Sequence, residues 1–453
     1  MQKIIVGALL LLIVTKAEGQ VGTVSPYSRF GIGELQFNGY AAQLGYGGAG
    51  SAMCDSLQMN FLNPASLSAM KITLVDAALN TSLTGLSTYN KKTLKSDAAF
   101  NYFAIGFPVS RKHNIGASFG LIPYSARGYN LKYYSIDPQG NKAIQTYEGT
   151  GSLSRFFIGS GFRPLRNLHI GANASYLFGS LQKLHSTSYE TRSLVFSRDI
   201  SNSSIGDFLF DAGIIYNNDT LLSYTKRKRE KPSGPKDTIP RYQVIKKHFS
   251  FSLSAASSLG AKVKSTNDRV VQTYTELDGS ITIFDTVSYS PPVTGNTTLP
   301  PSYRFGFSLR DPLLWNFMVD YSIQDWSKLD AFGISDKLSN STRVSAGFEF
   351  VPKYNSTRYH QRIAYRIGGR YTQSMFRFNN QPIDDYTLTI GIGLPIKKDA
   401  VTAAYATSFS RINLAFEFGQ RGTTQNNLVQ EKYFRFHIGV NLCERWFNPR
   451  KYD

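Results

Sequence analysis

The stretch that decides the fold of this chain is residues 433–447, YFRFHIGVNLCERWF. Apolar residues occupy every second position from Phe434 to Leu442. The positions between them hold polar or small residues, namely Arg435, His437, Gly439 and Asn441. A period of two is that of a β-strand with one apolar and one polar face. The alternation recurs in segment after segment, which predicts an all-β fold, a transmembrane antiparallel β-barrel with lipid outside and a polar interior.

From Ile72 to Phe447 the chain divides into about fourteen such segments, joined by alternately tight and long connections. The longest connection runs from Asn267 to Pro301. A soluble sandwich has the same two-faced strands, but the spacing of the segments shows no domain boundary. An even strand number with alternating turn lengths is typical of bacterial outer-membrane barrels.

The first residues have the order of a secretory signal peptide. Lys3 precedes an apolar run, residues 4–14, and small residues up to Gly19 fit cleavage before Gln20. A run of ~11 apolar residues is too short to cross a hydrocarbon core of ~30 Å, so a membrane anchor is the less favoured alternative. We predict that residues 1–19 are removed and that the mature protein lies in the bacterial outer membrane.

The chain of 453 residues has a formal net charge of +19 and two cysteines. Its lysines and arginines are scattered without a nucleic-acid motif, so we expect no nucleic acid as a partner. We expect the basic residues to contact outer-membrane lipid headgroups or lipopolysaccharide instead, because these are anionic. An oxidising compartment permits a bond between Cys54 and Cys443, and two unbonded thiols are the favoured alternative.

One segment interrupts the alternation. Thr220–His248 contains Lys226-Arg227-Lys228-Arg229 and several prolines and has no sustained period. We predict a flexible basic insertion at a periplasmic turn. A solvated loop is the favoured interpretation, and a docking arm for a periplasmic partner or a phosphate-rich surface is the alternative.

The stretch before the first strand, residues 20–70, does not alternate and is rich in small residues. Its distinctive residues are Gly47, Gly48, Gly50, Asp55, Asn63, Pro64 and Ala65. Barrels well above eight strands leave a lumen, and about fifty residues of compact chain suit a plug for it. A nucleotide site is the alternative, but the run lacks a following Lys-Ser/Thr and a βαβ setting. We predict a plug, called the hatch, over residues 20–70 and a barrel over residues 71–453.

This ordered set resembles the hatch of the FadL- and TodX-type family of outer-membrane transporters for hydrophobic compounds. The turn Asn63-Pro64-Ala65 is its most specific element. The opening SPYSRFG of residues 25–31, with PYS at 123–125 and RWF at 445–447, resembles the branch of that family found in Bacteroidetes. The resemblance covers essentially the mature chain. It implies a barrel of the same strand number with an N-terminal plug, and a ligand that is fatty-acid-like or aromatic.

A proline lies in the middle of the third predicted strand, Ile115–Tyr134. Proline cannot donate to the ladder, and a closed barrel has no edge strand to hold it. We therefore expect a break in the wall at Pro123 and Tyr124. The resemblance implies a lateral exit for hydrophobic ligand there, because the third strand is kinked in FadL-type transporters. A bulge without a passage is the equally weighted alternative.

The polar faces of the predicted strands carry more arginine than acid. The candidate lumen charges are Arg304, Arg343, Arg366, Arg370, Arg435, Asp320 and Glu349. Surplus positive charge would draw in an anion such as a fatty-acid carboxylate. The favoured alternative is that arginine and glutamate ladders fill and brace the interior.

The histidines are dispersed over strand ends and turns and lack the paired spacing typical of a metal site. We therefore predict no enzyme, no metal and no cofactor. A phospholipase assembled from distant strands is the remote alternative.

The sequence leaves two functions open. The first is an outer-membrane channel for passive uptake of hydrophobic compounds, with exit through the lumen or through the wall near Pro123. The second is a non-transporting barrel subunit of an outer-membrane protein secretion or assembly machine. In that case the basic insertion and Asn267–Pro301 are places for periplasmic or outer-membrane protein partners.

Overall fold

The structure, a computed structural model, describes residues 22–36, 39–189, 195–229, 242–277, 280–311, 314–331, 338–353, 356–378, 381–396 and 410–444. For residues 219–229, 242–248, 277, 331 and 427 only the backbone is described. The predicted signal peptide, residues 1–19, lies outside the described residues. So do the RWF ending at 445–447 and residues 230–241 of the basic insertion.

The described residues contain nineteen β-strands, which pair into one sheet. In chain order the strands are β1 (Glu34–Leu35), β2 (Thr73–Ser87), β3 (Lys92–Ser110), β4 (Ile115–Ala126), β5 (Tyr129–Ile136), β6 (Lys142–Leu165), β7 (Leu168–Tyr189), β8 (Phe196–Arg229), β9 (Tyr242–Ser258), β10 (Ala261–Leu277), β11 (Ser280–Leu299), β12 (Ser302–Asp311), β13 (Trp315–Asp325), β14 (Asp330–Ala331), β15 (Asn340–Phe350), β16 (Ala364–Phe378), β17 (Gln381–Pro395), β18 (Arg411–Arg421) and β19 (Gln430–Glu444).

Together these strands form a closed antiparallel barrel of 14 wall strands, which confirms the predicted fold. The barrel closes where β19 pairs with β2, from Gln430 opposite Ser87 to Glu444 opposite Thr73. Three wall strands consist of two segments in line: β4 with β5, β9 with β10, and β11 with β12. Both segments of each pair lie against the same neighbouring wall strand. The two-residue strands β1 and β14 add to the sheet without being wall strands.

The two ends of the barrel differ in their connections. The short turns at residues 111–114 and 166–167 lie at the same end as Thr73 and Glu444. Short turns mark the periplasmic end of an outer-membrane barrel, so we assign this end to the periplasm.

The side chains alternate across the wall as the sequence predicted. On β19, Phe434 is 36% and Leu442 41% exposed, whereas His437 and Asn441 are 4% and 3% exposed. The outward side chains form the surface that lipid covers, and a charge there would cost about 2–4 kcal/mol at the bilayer midplane. The inward side chains meet the hatch.

The prediction of a long connection over Asn267–Pro301 was wrong. The structure has a long hairpin there, in which β10 pairs with β11 from Ala261 opposite Leu299 to Leu277 opposite Ser280. The hairpin rises beyond the extracellular ends of β12 and β13. It has no single lipid-facing side, and its register shifts at three places, so its sequence lacks the simple alternation of the wall.

The basic insertion is also more ordered in backbone than the predicted flexible loop. The ladder between β8 and β9 continues from Leu222 opposite Phe249 to Arg229 opposite Tyr242. This ribbon, defined as residues 222–229 and 242–249, extends the wall at its periplasmic end. A ribbon beyond the hydrocarbon core needs no apolar face, which explains why its charged sequence did not indicate strands.

The hatch is described from Gly22 and lies inside the barrel, with most of its side chains buried. It contains the 3-10 helix Pro26–Arg29, the short helix α1 (Ala41–Leu44) and the 3-10 helix Pro64–Ala69. A proline opens each 3-10 helix, where no donor is needed, and Ser25 and Asn63 cap them through their side-chain oxygens.

Three more 3-10 helices join wall strands: Trp326–Lys328, Tyr359–Arg362 and Gln425–Asn427. No helix among the described residues is both long enough and apolar enough to cross a membrane.

Candidate functional site

The turn Asn63-Pro64-Ala65 fixes the hatch to one side of the wall. The fully buried Asn63 donates its amide to the carbonyl oxygens of Ile214 on β8 (3.1 Å) and Ala255 on β9 (3.4 Å). Its own carbonyl oxygen accepts from the backbone of Ala65 (3.0 Å). Leaving such buried groups unsatisfied costs about 1–3 kcal/mol each, so this turn resists displacement.

The glycine run lets the hatch chain turn back within the lumen. Gly47, Gly48 and Gly50 have φ angles of +82°, +76° and +122°. Residues with a Cβ atom rarely adopt such positive φ angles. The turn is braced from within, because Asn60 donates to the carbonyl oxygen of Gly50 (2.8 Å) and accepts from Gln43 (2.9 Å).

Glycines of the wall make room for the hatch on ten strands. These glycines are Gly106, Gly116, Gly161, Gly171, Gly213, Gly306, Gly347, Gly368, Gly391 and Gly439. A Cβ atom added at Gly347 would lie 2.0 Å from the carbonyl oxygen of Tyr46, and one at Gly116 would lie 2.0 Å from that of Leu67. The hatch therefore fills the volume that larger side chains would occupy. Sequence reasoning placed glycines on the polar faces but missed this reason for them.

The variant Gly368→Ala tests this packing. A Cβ atom at Gly368 would lie 2.2 Å from the carbonyl carbon of Tyr46, whereas one at Gly369 would meet its nearest atom at 3.7 Å. We expect Gly368→Ala to destabilise the folded barrel by roughly 1–3 kcal/mol through overpacking. Gly369→Ala is the matched control and should retain wild-type stability in urea unfolding followed by heat-modifiable electrophoretic mobility. Equal stability of the two variants would contradict close packing of hatch and wall.

Most of the predicted lumen charges lie inside the barrel in ion pairs. Arg366 contacts Glu349 at 2.6 Å, and Arg370 contacts Glu417 at 3.3 Å. Asp320 accepts from the backbone of Ser51 in the hatch at 2.9 Å. This geometry favours the alternative in which arginine and acid ladders brace the interior over a lumen with free positive charge.

A buried charge cluster, which sequence reasoning missed, holds the N-terminal part of the hatch. Arg421 contacts Glu34 of β1 at 2.7 Å, Asp385 at 3.1 Å and Glu431 at 3.4 Å, and Arg435 contacts Glu34 at 3.4 Å. Burial alone would raise the pKa of Glu34, but the two arginines outweigh it and hold that pKa below its usual range. Glu34 is therefore ionised at neutral pH and ties the hatch to two wall strands.

The wall parts beside Pro123. The ladder between β3 and β4 ends at Phe103 opposite Leu121, and the register of β4 against β6 shifts between Pro123 and Ser125. A further interruption at residues 127–128 separates β4 from β5. The predicted single strand is thus two strands, and the upper half of β4 has lost β3 as its neighbour.

The hatch occupies this parting. Strand β1 pairs with β4, with Glu34 opposite Ala126 and Leu35 opposite Ser125. The backbone of the next residue, Gln36, donates to the carbonyl oxygen of Tyr124 at 3.0 Å. The hatch thus supplies backbone partners to β4 beyond the point where β3 leaves it.

A compact apolar core lies at the extracellular end of the lumen. Trp326 is 1% exposed, and Leu329 and Leu338 pack into the same core from the segments that follow β13. The hatch contributes Tyr27 and Ile32. The wall contributes Leu153, Leu177, Leu181, Ile205, Leu209, Val263, Leu299, Met375, Phe376 and Ile383.

Two of the cavities that adjoin the described part of the hatch are lined by charged residues. The lumen cavity, of about 170 Å³, lies between hatch and wall and is lined by Tyr124, Arg304 and Arg343 among others. The periplasmic vestibule, of about 340 Å³, opens beneath the hatch, where Asp55 and His169 line it.

The buried polar groups beside the vestibule form no catalytic arrangement that we recognise. Ser68 and His169 are hydrogen-bonded at 2.6 Å, and Cys54 Sγ lies 3.7 Å from the same ring nitrogen. The string GASFG at residues 116–120 matches G-x-S-x-G, but it lies within β4 and not at the strand-to-helix turn that such a nucleophile needs. The absence of enzymatic activity stays a prediction.

Metal and disulfide chemistry were also open in the sequence. Among the residues with described side chains, no three His, Cys, Asp or Glu side chains are grouped as metal ligands. Cys54 and Cys443 are both buried and are not joined by a disulfide.

The chain is an outer-membrane β-barrel with the 14-stranded fold of FadL-type proteins. The chain belongs to the BamG family, whose match covers residues 1–230 and 238–453. BamG is related to the hydrocarbon-channel family but distinct from it. The Bacteroidetes branch stays a prediction. No curated protein matches the chain.

Solved structures with this fold include a *Pseudomonas aeruginosa* FadL homologue, at 10% identity and a TM-score of 0.56 over 90% of this chain and 99% of that one. The toluene transporter TodX of *Pseudomonas putida* is 14% identical, with a TM-score of 0.54 over 91% and 99%. The CymD monoaromatic hydrocarbon channel is 12% identical, with a TM-score of 0.52 over 91% and 99%. At such identities the similarity is one of fold.

Proposed function

We propose that this protein is a closed barrel subunit of an outer-membrane protein assembly or secretion machine, which holds partner proteins and passes no ligand. The observation that carries the proposal is the packing of the hatch against glycines on ten wall strands. A chain packed this closely against the wall cannot shift without creating overpacked contacts, which cost about 1–3 kcal/mol each. A hatch that had to move would be expected to fit more loosely.

Two other features support a closed barrel. The apolar core around Trp326 lies at the extracellular end of the lumen, and β1 covers the parting of the wall beside Pro123. A ligand would have to displace one of these elements to enter or leave. Membership of BamG, a family distinct from the hydrocarbon channels, agrees with this interpretation.

The extracellular extension of the wall offers surface for protein partners. On β11, the neighbouring residues Ile283 and Phe284 are 47% and 64% exposed, and on β5, Tyr133 and Tyr134 are 62% and 66% exposed. Neighbouring strand residues point to opposite faces, so apolar side chains are exposed on both faces of these strands. Lipid covers only the outer face of a barrel, and exposed apolar patches on the other face mark protein interfaces.

Purification of the tagged protein in mild detergent, combined with its depletion in cells, tests the proposal. We expect outer-membrane protein partners at constant stoichiometry, and a loss of folded outer-membrane barrels or of secreted protein on depletion. The purified barrel should give no single-channel conductance in planar bilayers. A lone, conducting barrel whose depletion leaves other outer-membrane proteins unchanged would contradict the proposal.

The second candidate is passive uptake of hydrophobic compounds, fatty-acid-like or aromatic. It is favoured by the parting beside Pro123 and by the lumen cavity, in which Arg304 and Arg343 could meet a carboxylate. A disulfide between cysteines at Leu35 and Ser125, in a background without Cys54 and Cys443, would lock β1 to β4. If the second candidate holds, this lock abolishes uptake and reduction restores it.

A further inference from the structure

The periplasmic vestibule is lined by three arginines that form no ion pair with any acid of the described part of the chain. Arg163 on β6, Arg310 on β12 and Arg411 on β18 line this one cavity of about 340 Å³. All three are half-buried, and among the described residues none has a carboxylate within ion-pair distance. Arg310 donates to the hydroxyl of Ser250 at 3.1 Å, a neutral partner.

The acids of the same lining are already engaged. Glu349 contacts Arg366 at 2.6 Å, Asp55 accepts from the backbone of Leu57 at 2.9 Å, and Asp311 also has a partner. Glu349 and Asp55 act on Arg411 through space, but within the described ranges none of the three arginines has an acid at ion-pair distance. Desolvated guanidinium groups bind carboxylates strongly and often in bidentate fashion.

We propose that this vestibule binds an extended, carboxylate-rich peptide segment of a periplasmic protein partner. The inference rests on the proposed function and names the chemistry of one partner. A cavity of this volume admits side chains of a short segment but not a folded domain. The hatch loop at residues 54–58 also lines it and supplies backbone groups for a peptide.

The ribbon continues this charge into the periplasm. It carries Lys226-Arg227-Lys228-Arg229 on β8 and Lys246-Lys247 on β9, and its described residues include no acid. The neighbours of the ribbon in the wall are β7 and β12, which contribute His169 and Arg310 to the vestibule. An acidic segment that enters the vestibule would thus lie near a ribbon whose sequence is cationic, and this complementarity steers association.

Fluorescence anisotropy with fluorescein-labelled hexaglutamate and the full-length protein in detergent tests the proposal. The triple variant R163Q/R310Q/R411Q should bind the peptide roughly tenfold or more weakly than the wild type, because three charge-assisted contacts are lost. Arg163→Gln alone should weaken binding severalfold with little risk to folding. Arg166→Gln is the matched control, since this exposed residue lies on the neighbouring turn outside the vestibule, and should bind as the wild type does.

Heat-modifiable mobility identifies folded variants. Peptide binding that is unchanged in the folded triple variant would overturn the proposal. Displacement of the peptide by inorganic phosphate at equal concentration would assign the site to free phosphate and also overturn it. The same holds if vesicles containing phosphatidylglycerol bind through these arginines while hexaglutamate does not bind. No partner protein enters this experiment, so its failure leaves the co-purification test of the proposed function intact.

Discussion

Arg421→Leu is expected to destabilise the folded barrel by about 3–5 kcal/mol, because it leaves buried carboxylates without their cation. Glu34, Asp385 and Glu431 all lie within 3.4 Å of this guanidinium group. Once Arg421 is gone, the cation that remains beside Glu34 among the described residues is Arg435, at 3.4 Å, and Thr23 still donates a hydrogen bond to that carboxylate. The N-terminal part of the hatch should then detach from the wall and become sensitive to added protease.

Urea unfolding in detergent and limited proteolysis measure the two effects. Arg377→Leu is the matched control, since Arg377 is an exposed arginine at the extracellular end of β16. It should change stability by less than about 1 kcal/mol. The stability of Arg421→Lys should lie between the stabilities of these two variants, because an ammonium group keeps the charge but lacks the forked guanidinium that reaches several acids. If Arg421→Leu is as stable and as resistant to protease as Arg377→Leu, the cluster does not anchor the hatch.

Trp326→Ala, made alone in the wild-type protein, is expected to lower the stability of the folded barrel by about 3–5 kcal/mol, the usual range for deleting a buried tryptophan. Its side chain is almost fully buried in the core at the extracellular end of the lumen, beside Leu329 and Leu338. The cavity left behind should admit a small apolar molecule, as other dry engineered cavities do. Xenon or benzene should therefore stabilise the variant and not the wild type.

Trp315→Ala is the matched control for this experiment. Trp315 is half-buried at the periplasmic end of β13, where its ring lies 5.9 Å from that of Phe249 and 6.3 Å from that of Phe348. We expect a smaller loss of stability and no response to xenon, because the ring borders lipid and leaves no enclosed cavity. A Trp326→Ala barrel as stable as the Trp315→Ala barrel would contradict a packed core at the mouth.

Much of the wall was visible in the sequence because lipid imposes a strict rule on it. Each spanning strand must present apolar side chains to the bilayer at every second position, and this period survives in a single sequence. The same rule explains the two errors. The hairpin β10–β11 and the ribbon lie beyond the hydrocarbon core, so neither needs the alternation, and both were interpreted as loops.

The candidate site was only partly predictable. The turn of the hatch motif could be recognised in the sequence because it depends on local chemistry, such as the capping of the 3-10 helix Pro64–Ala69 by Asn63. The docking of the hatch could not, since the bonds that hold it join residues far apart in the chain. Ser25 and Glu431, for example, are 406 positions apart and their side chains are 2.6 Å apart.

The sequence by itself determined the barrel, its strand number and the presence of a separate segment before the first strand. These follow from short-range periodicity and from turn chemistry, which neighbouring residues specify. Only the tertiary structure decided that this segment is packed against glycines of the wall, that β1 replaces β3 beside Pro123, and that Arg421 joins three acids. Such contacts depend on which residues the closed barrel brings to the same level along its axis. Two residues that meet across the lumen are far apart in the sequence, so their contact produces no periodic pattern in it.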